Sequence, residues 1–212
     1  MKRTQKKKKN KQKPLIFILV IVIALMITGG LFVKRTFFGK KTVQAAKVVD
    51  KLDKYGYTLE DNATKYQTEL FKELKTVLSD STVDEEKYAS LVGQLFLTDY
   101  FTLNTKSSKN NVGGVQFVYK DYQDNFIKQA TDQVYKYVES NIYGNRKQEL
   151  PIVSKVTVTD VSSDSYDYLE ETDDKAFTVE CAIEYEKDLG YQTNATLVMV
   201  HANDKLEIVK MS

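Results

Sequence analysis

Residues 177–211 read FTVECAIEYEKDLGYQTNATLVMVHANDKLEIVKM, and their pattern determines the architecture of the C-terminal half of the chain. Apolar and polar residues alternate there with a period of two. This period is typical of strands that bury one face of an antiparallel sheet and expose the other. Asn203-Asp204 is a short hairpin signal between two of these segments. The sequence therefore predicts about four strands, at residues 152–161, 177–186, 191–201 and 205–211.

Helical patterns occupy the chain before the strands. Apolar residues spaced three and four positions apart predict helical segments at residues 42–55, 62–78, 85–103 and 119–143. Asp61 or Asn62 can cap the second segment, and Thr82-Val83-Asp84-Glu85 matches the capping box that begins a helix. Gly56 and Gly144 end the first and last segments. Helices followed by strands predict an α+β fold, with about three helices packed on one face of a curved antiparallel sheet.

Two polar segments separate these helices and strands. NTKSSKNNVGG, at residues 104–114, combines polar residues with a glycine pair, which predicts a mobile or tightly turned loop. SSDSYDYLEETDD, at residues 162–174, is predicted to form an acidic loop or hairpin between the first two strands. Its carboxylates do not follow the spacing of a calcium-binding loop, so we interpret them as a solvated turn.

Near the N-terminus, Leu15 to Val33 read LIFILVIVIALMITGGLFV, a run of 19 uncharged residues. A helix rises about 1.5 Å per residue, so this run would reach about 28 Å, close to the hydrocarbon thickness of a bilayer. We therefore predict a transmembrane helix that contacts lipid. The predicted organisation is a basic cytoplasmic tail at 1–13, a membrane helix at 14–34, a juxtamembrane linker or helix at 35–55, and an α+β domain at 56–212.

The charges that flank this run predict its orientation. Eight Lys and Arg precede the run, and five lie between residues 34 and 47. The positive-inside rule keeps the more basic flank in the cytoplasm, so the C-terminal domain is predicted to lie outside. A cleaved signal peptide is the alternative, with Val43-Gln44-Ala45 as its small-residue site. Signal peptides have a shorter apolar core of about 7–15 residues, so we predict an uncleaved anchor.

The composition argues against several classes of function. Residues 48–212 carry 18 basic and 29 acidic groups, a net charge of −11, whereas nucleic-acid binding needs a basic face. Metal sites built on soft ligands need clustered His and Cys, and the chain has one of each, Cys181 and His201. We therefore predict no nucleic-acid partner, no metal and no cofactor. Cys181 is expected in the core and His201 at a structural or edge position.

Three features follow one another in the last three quarters of the chain: the helix EEKYASLVGQLFLTDYFTL, a helix ending at NIYGN, and the paired strands of residues 177–211. Their order resembles that of the nuclear transport factor 2-like (cystatin-like) superfamily, over about residues 56–212. The resemblance implies helices folded over a strongly bent sheet to form a cone. With the basic tail and membrane helix, the layout is similar to the bitopic VirB-type assembly proteins of type IV secretion and conjugation machines.

Asp99 is the one carboxylate predicted to point inward, because it lies on the mostly apolar third helix. With Tyr100 and Tyr185 it could form a ligand-binding polar patch in the cavity of the cone. The resemblance implies such a role, since enzymes of the superfamily often place acid or base groups there, and a buried carboxylate is a functional candidate. The other interpretation is an Asp at the solvent edge of the helix or in a hydrogen bond to a Tyr. No residue is assigned as catalytic.

These observations predict a membrane-anchored extracytoplasmic protein of the bacterial envelope. Its domain would be a non-catalytic scaffold or protein-interaction module, as the likeness to secretion and conjugation proteins implies. The alternative is a small-ligand-binding or enzymatic cone that uses a pocket around Asp99. A third possibility is a domain held inside the cell that binds cytosolic proteins. The sequence leaves the partner and the oligomeric state open.

Overall fold

A computed structural model describes residues 46–212, which contain three α-helices and six strands. The predicted transmembrane helix at Leu15–Val33 lies outside the described residues. Within residues 46–212, no helix is long and apolar enough to cross a membrane. The helices are α1 (Lys65–Ser79), α2 (Glu85–Phe101) and α3 (Gln123–Asp132). Single 3-10 turns lie at Leu103–Thr105, Val115–Phe117 and Lys120–Tyr122.

The last four strands form one antiparallel sheet, as the sequence predicted. They are β3 (Val153–Tyr168), β4 (Glu171–Tyr185), β5 (Asn194–Ala202) and β6 (Lys205–Met211), hydrogen-bonded in chain order. Cys181 pairs with Ala195 across β4 and β5, and Met199 pairs with Ile208 across β5 and β6. The α+β fold with three helices and a four-stranded sheet is thereby confirmed.

The acidic segment 162–174 takes the hairpin form that was one of its two predicted states. Both β3 and β4 continue through it, and the chain reverses at Leu169, whose φ is 50°. Register shifts lie between Val158 and Asp160 and between Asp164 and Tyr166. Such bulges bend a strand and increase its twist, so the long hairpin curves along its length.

The prediction of a helix over residues 42–55 is wrong where the structure describes the chain. Residues 48–60 instead form a hairpin of β1 (Val48–Leu52) and β2 (Tyr57–Glu60). Gly56, with φ of 73°, closes its turn by donating its N–H to the Leu52 carbonyl at 2.7 Å. Glycine adopts this conformation as readily at a hairpin turn as at a helix end, so it does not distinguish the two.

Helices α1 and α2 lie where the sequence placed them, but different residues cap them. Thr64 caps α1, accepting a hydrogen bond from the Gln67 N–H at 3.1 Å, in place of the predicted Asp61 or Asn62. Asp84 caps α2, accepting from the Lys87 N–H at 3.0 Å, in place of a Thr82 capping box. Thr, Asp and Asn all serve as caps, so local sequence alone does not choose between neighbouring candidates.

The prediction of one long helix over residues 119–143 is also wrong. Helix α3 ends at Asp132, and turns follow. The buried side chain of Tyr135 explains this end. Its hydroxyl donates to the Tyr100 carbonyl at 2.6 Å and accepts from the Gly113 N–H at 3.0 Å. These long-range bonds fix Tyr135 against α2. This position competes with the longer helix that the local pattern suggested.

Helix α2 is the centre of the core, as its apolar circumference predicted. Its buried residues contact the sheet, α1 and the loops that follow it. At Gly93 the helix approaches the sheet so closely that an added Cβ would lie 3.1 Å from the Met199 side chain. Hydrogen bonds of a buried tyrosine connect the β1–β2 hairpin to α2 and β6. The Tyr57 hydroxyl donates to the Leu206 carbonyl at 2.8 Å and lies 2.8 Å from the Tyr88 hydroxyl.

Candidate functional site

A polar cleft lies where the end of β2, the start of α1 and the loop after α2 meet. It consists of two pockets of about 740 and 230 Å³ that share Glu60 and Asn62 among their lining residues. The larger pocket is lined mainly by amide and hydroxyl side chains, with Ala46 and Ile142 as apolar members. The smaller pocket is lined by Asp99 and by residues of β2 and of the segment around Gly114. Its size and its convergent polar groups make the polar cleft the candidate binding site of the described domain.

An ion pair joins Lys106, which lines the larger pocket, to Asp99, which lines the smaller one. The Lys106 Nζ lies 2.6 Å from the Asp99 Oδ1, and the two side chains are 5% and 20% exposed. The second oxygen of Asp99 accepts the Gly114 N–H at 2.6 Å. The single turn at Leu103–Thr105 reverses the chain after α2, which brings Lys106 back to the last turns of that helix. Because both of its oxygens are engaged, Asp99 holds the loop against α2 in this structure.

Glu60, a carboxyl that lines both pockets, was not predicted from the sequence. Glu60 is an exposed residue at the edge of the cleft, where partial desolvation and the nearby charge of Asp99 raise its pKa, while Lys106 lowers it. A carboxyl with a raised pKa in a cleft is a functional candidate. Glu60 ends a strand that the sequence did not predict. The available signal was the pair Tyr57 and Leu59, whose alternation with polar residues places Glu60 on the other face.

Tyr100 does not join Asp99 in the polar cleft. Its ring is buried and stacks on Phe96 at 5.7 Å, with Phe126 and Tyr135 also in ring contact. Burial raises the pKa of its hydroxyl to about 12. Tyr100 is absent from the described lining of both pockets. In this structure its ring therefore belongs to the aromatic core beneath α2.

Tyr185 lies at the end of β4, next to the β4–β5 connection. Its hydroxyl donates to the Gln192 carbonyl at 2.7 Å, and its ring lies 6.3 Å from that of Tyr191. Burial raises its pKa, and the nearby Tyr191 raises it further. The described lining of the two pockets does not include Tyr185. The structure therefore does not gather Asp99, Tyr100 and Tyr185 into one patch.

Cys181 and His201 lie on different strands and serve different local structures. Cys181 is buried in the core, as predicted, and burial raises the pKa of its thiol to about 12. His201 is partly exposed, and its ring Nδ1 lies 2.9 Å from the Asp173 carboxylate, which also accepts the His201 backbone N–H at 2.6 Å. The interpretation of the acidic segment as a solvated turn is therefore wrong for Asp173, whose carboxylate binds His201. Among residues 46–212, no three His, Cys, Asp or Glu side chains are grouped to hold a metal ion.

We expect native Cys181 to resist thiol reagents. At pH 8 a thiol with a pKa near 12 is about a thousandfold less ionised than an ordinary thiol, and the thiolate is the reactive form. Labelling of the full chain with a chromogenic disulfide should take hours in buffer and be complete within minutes in concentrated urea. Cys181 is the only cysteine, so the stoichiometry reports it alone. Rapid labelling without denaturant would contradict the burial of this strand.

Comparison with known proteins identifies no relative of this chain. No family model matches the sequence, no curated protein matches it, and no solved structure matches the fold.

Proposed function

We propose that this chain is a single-pass membrane protein whose C-terminal α+β domain lies outside the cytoplasm and binds other proteins of the bacterial envelope. The observation that carries the proposal is the apolar run Leu15–Val33, which has the length of a bilayer-spanning helix. The eight basic residues before it support a cytoplasmic N-terminus.

The surface of the described domain supports an interaction role. Several large apolar side chains remain exposed: Val48, Val49, Tyr137, Ile142, Tyr143 and Leu169. Val48 and Val49 are neighbours on β1, which within residues 46–212 pairs only with β2. Tyr and apolar residues are favoured at protein interfaces, and a strand edge can pair with another chain. These positions are where we expect a partner to bind.

We further propose that the domain is a nuclear transport factor 2-like cone with a scaffold role like that of VirB-type assembly proteins. Three helices that precede a four-stranded antiparallel meander support the fold proposal. Bulges in the long β3–β4 hairpin support a strongly bent sheet. An anchored domain of this kind would contact other subunits of a secretion or conjugation machine.

Site-specific crosslinking in intact cells tests the interaction role. A photoreactive amino acid at Val49 or Tyr137 should give reproducible adducts to an envelope protein or to a second copy of the chain. The same group at Lys72, an exposed polar position on α1, is the matched control and should give far fewer adducts. Recovery of monomer alone from every position would overturn the proposal.

The polar cleft favours a second candidate function, the binding of a small ligand near Asp99. Its two pockets share Glu60, a carboxyl with a raised pKa, and the larger one lies within the volume range of known ligand sites. A ligand-binding domain and a scaffold are compatible at β1, whose exposed residues are not in the described lining of the pockets, whereas Ile142 belongs to both surfaces. An enzymatic role for Asp99 itself would require it to leave its ion pair with Lys106.

A further inference from the structure

From the chemistry of the larger pocket, we propose that it binds a saccharide that carries acetamido groups. This inference rests on the second candidate function above and is independent of the scaffold role. The amide and hydroxyl groups that line the pocket include Asn62, Asn110, Asn111, Asn141, Ser107 and Ser108. Uncharged donors and acceptors in this number suit a ligand with many hydroxyl and amide groups.

Two of these amides are oriented by bonds to the protein and keep their donors unused. The Asn111 Oδ1 accepts the Ser107 N–H at 3.1 Å, and the Asn141 Oδ1 accepts the Arg146 N–H at 3.0 Å. These bonds fix which end of each amide is the oxygen, which is otherwise a matter of assignment. The NH₂ groups make no hydrogen bond within residues 46–212. Asn111 is exposed and Asn141 is half-buried, so both NH₂ groups are accessible to a carbonyl acceptor such as that of an acetamido group.

The rest of the lining supplies the other contacts that such a sugar needs. Glu60 and Asp61 provide carboxylate acceptors for sugar hydroxyls. Ile142, which is 44% exposed, and Ala46 provide an apolar surface for a methyl group or for the C–H face of a sugar ring. An acetamido sugar uses the amide donors, the carboxylate acceptors and the apolar surface together.

The charges around the pocket argue against an anionic ligand. The ammonium group of Lys106 is engaged by Asp99, and the guanidinium of Arg146 donates to the backbone carbonyls of Lys106, Asn104 and Glu139. Among the described lining residues, the other charged groups are the carboxylates of Glu60 and Asp61. Arg146 keeps its charge but is not among the described lining residues, so a phosphate or sulfate in the pocket would meet these carboxylates directly.

Saturation-transfer NMR on the full chain in lipid nanodiscs tests the proposal. The probe is chitotetraose in its fully N-acetylated form. Nanodiscs avoid detergents that themselves carry sugar headgroups. We expect saturation of the acetamido methyl protons and saturable binding. Maltotetraose, a neutral oligosaccharide without acetamido groups, should bind at least about tenfold more weakly, since it offers no carbonyl to the amide donors. Absence of chitotetraose binding, or equal binding of maltotetraose, would overturn the proposal.

Matched variants locate the binding. Asn111→Asp with Asn141→Asp keeps both oxygen acceptors, and so the loop bonds, but removes the two donors. It should weaken chitotetraose binding about tenfold or more. Asn125→Asp makes the same change on α3, outside the polar cleft, and should leave binding unchanged. Ile142→Gln alters the exposed apolar surface and should also weaken binding. Unchanged binding in both cleft variants would overturn the assignment of this pocket, whatever the crosslinking experiment shows.

Discussion

Replacing Asp99 by asparagine should lower the free energy of unfolding by about 3 kcal/mol. The substitution keeps an oxygen that can accept the Gly114 N–H but removes the charge that faces Lys106. Lys106 is 5% exposed, so its ammonium group would remain buried without a counter-charge. Breaking one side of a buried ion pair is costly because the remaining charge has lost both its partner and its water.

The double variant Asp99→Asn/Lys106→Met tests whether this cost arises from the unpaired charge. It removes both charges and keeps a side chain of similar length, so stability should return to within about 1 kcal/mol of the parent. Glu69→Gln, at the exposed pair with Lys65, is the control and should change stability by less than about 0.5 kcal/mol. The urea dependence of Cys181 labelling gives each value on the full chain in nanodiscs. An Asp99→Asn variant as stable as the parent would contradict the buried pair.

Replacing Gly113 by alanine should be at least as damaging, with an expected loss of about 3 kcal/mol or more. A Cβ at this position would overlap the backbone carbonyl oxygen of Asp99 and lie 2.7 Å from the Lys106 Nζ. The backbone of α2 cannot move aside cheaply, because that helix is the centre of the core. The loop would have to separate from the helix, which would also break the bond from the Gly113 N–H to Tyr135.

Gly56→Ala is the matched control for this steric effect. A Cβ there would meet open space, so only the φ of 73° opposes the substitution. The expected loss is about 1 kcal/mol, the cost of a left-handed conformation for an L residue. The same urea titration of Cys181 labelling compares the two variants. Equal losses at Gly113 and Gly56 would show that the loop does not pack against α2 as described.

The sheet could be predicted from the sequence because its strands carry their own signal. Alternation along Phe177–Tyr185 reports burial on one face, and this burial is local to each strand. The β1–β2 hairpin could not be predicted in the same way. Its stability depends on Tyr57, which bonds to Leu206 at a separation of 149 residues. A spacing of three and four among Ala45, Val48 and Leu52 suggested a helix, and these tertiary contacts outweigh that local pattern.

The candidate site was predicted only in part for the same reason. Asp99 was singled out because an acid on an apolar helix is unusual. Its partner Lys106 lies in a segment predicted only as a loop, and nothing in the local sequence shows that the chain reverses there. Tyr185 was grouped with Asp99 on the expectation of a shared cavity, whereas the described structure places it against Tyr191 at the end of β4. Side-chain contacts that depend on how a loop folds back on a helix are visible only in the folded structure.

The most direct test of the central claim is labelling of an engineered cysteine with a membrane-impermeant maleimide in intact cells. Lys72→Cys places a reactive thiol on the exposed face of α1. Native Cys181 is not labelled in the folded protein because it is buried. We expect Lys72→Cys to be labelled equally before and after lysis, and Thr4→Cys in the basic tail to be labelled only after lysis. Labelling of Lys72→Cys only after lysis, or recovery of the intact chain in the soluble fraction, would contradict a membrane-anchored extracytoplasmic domain.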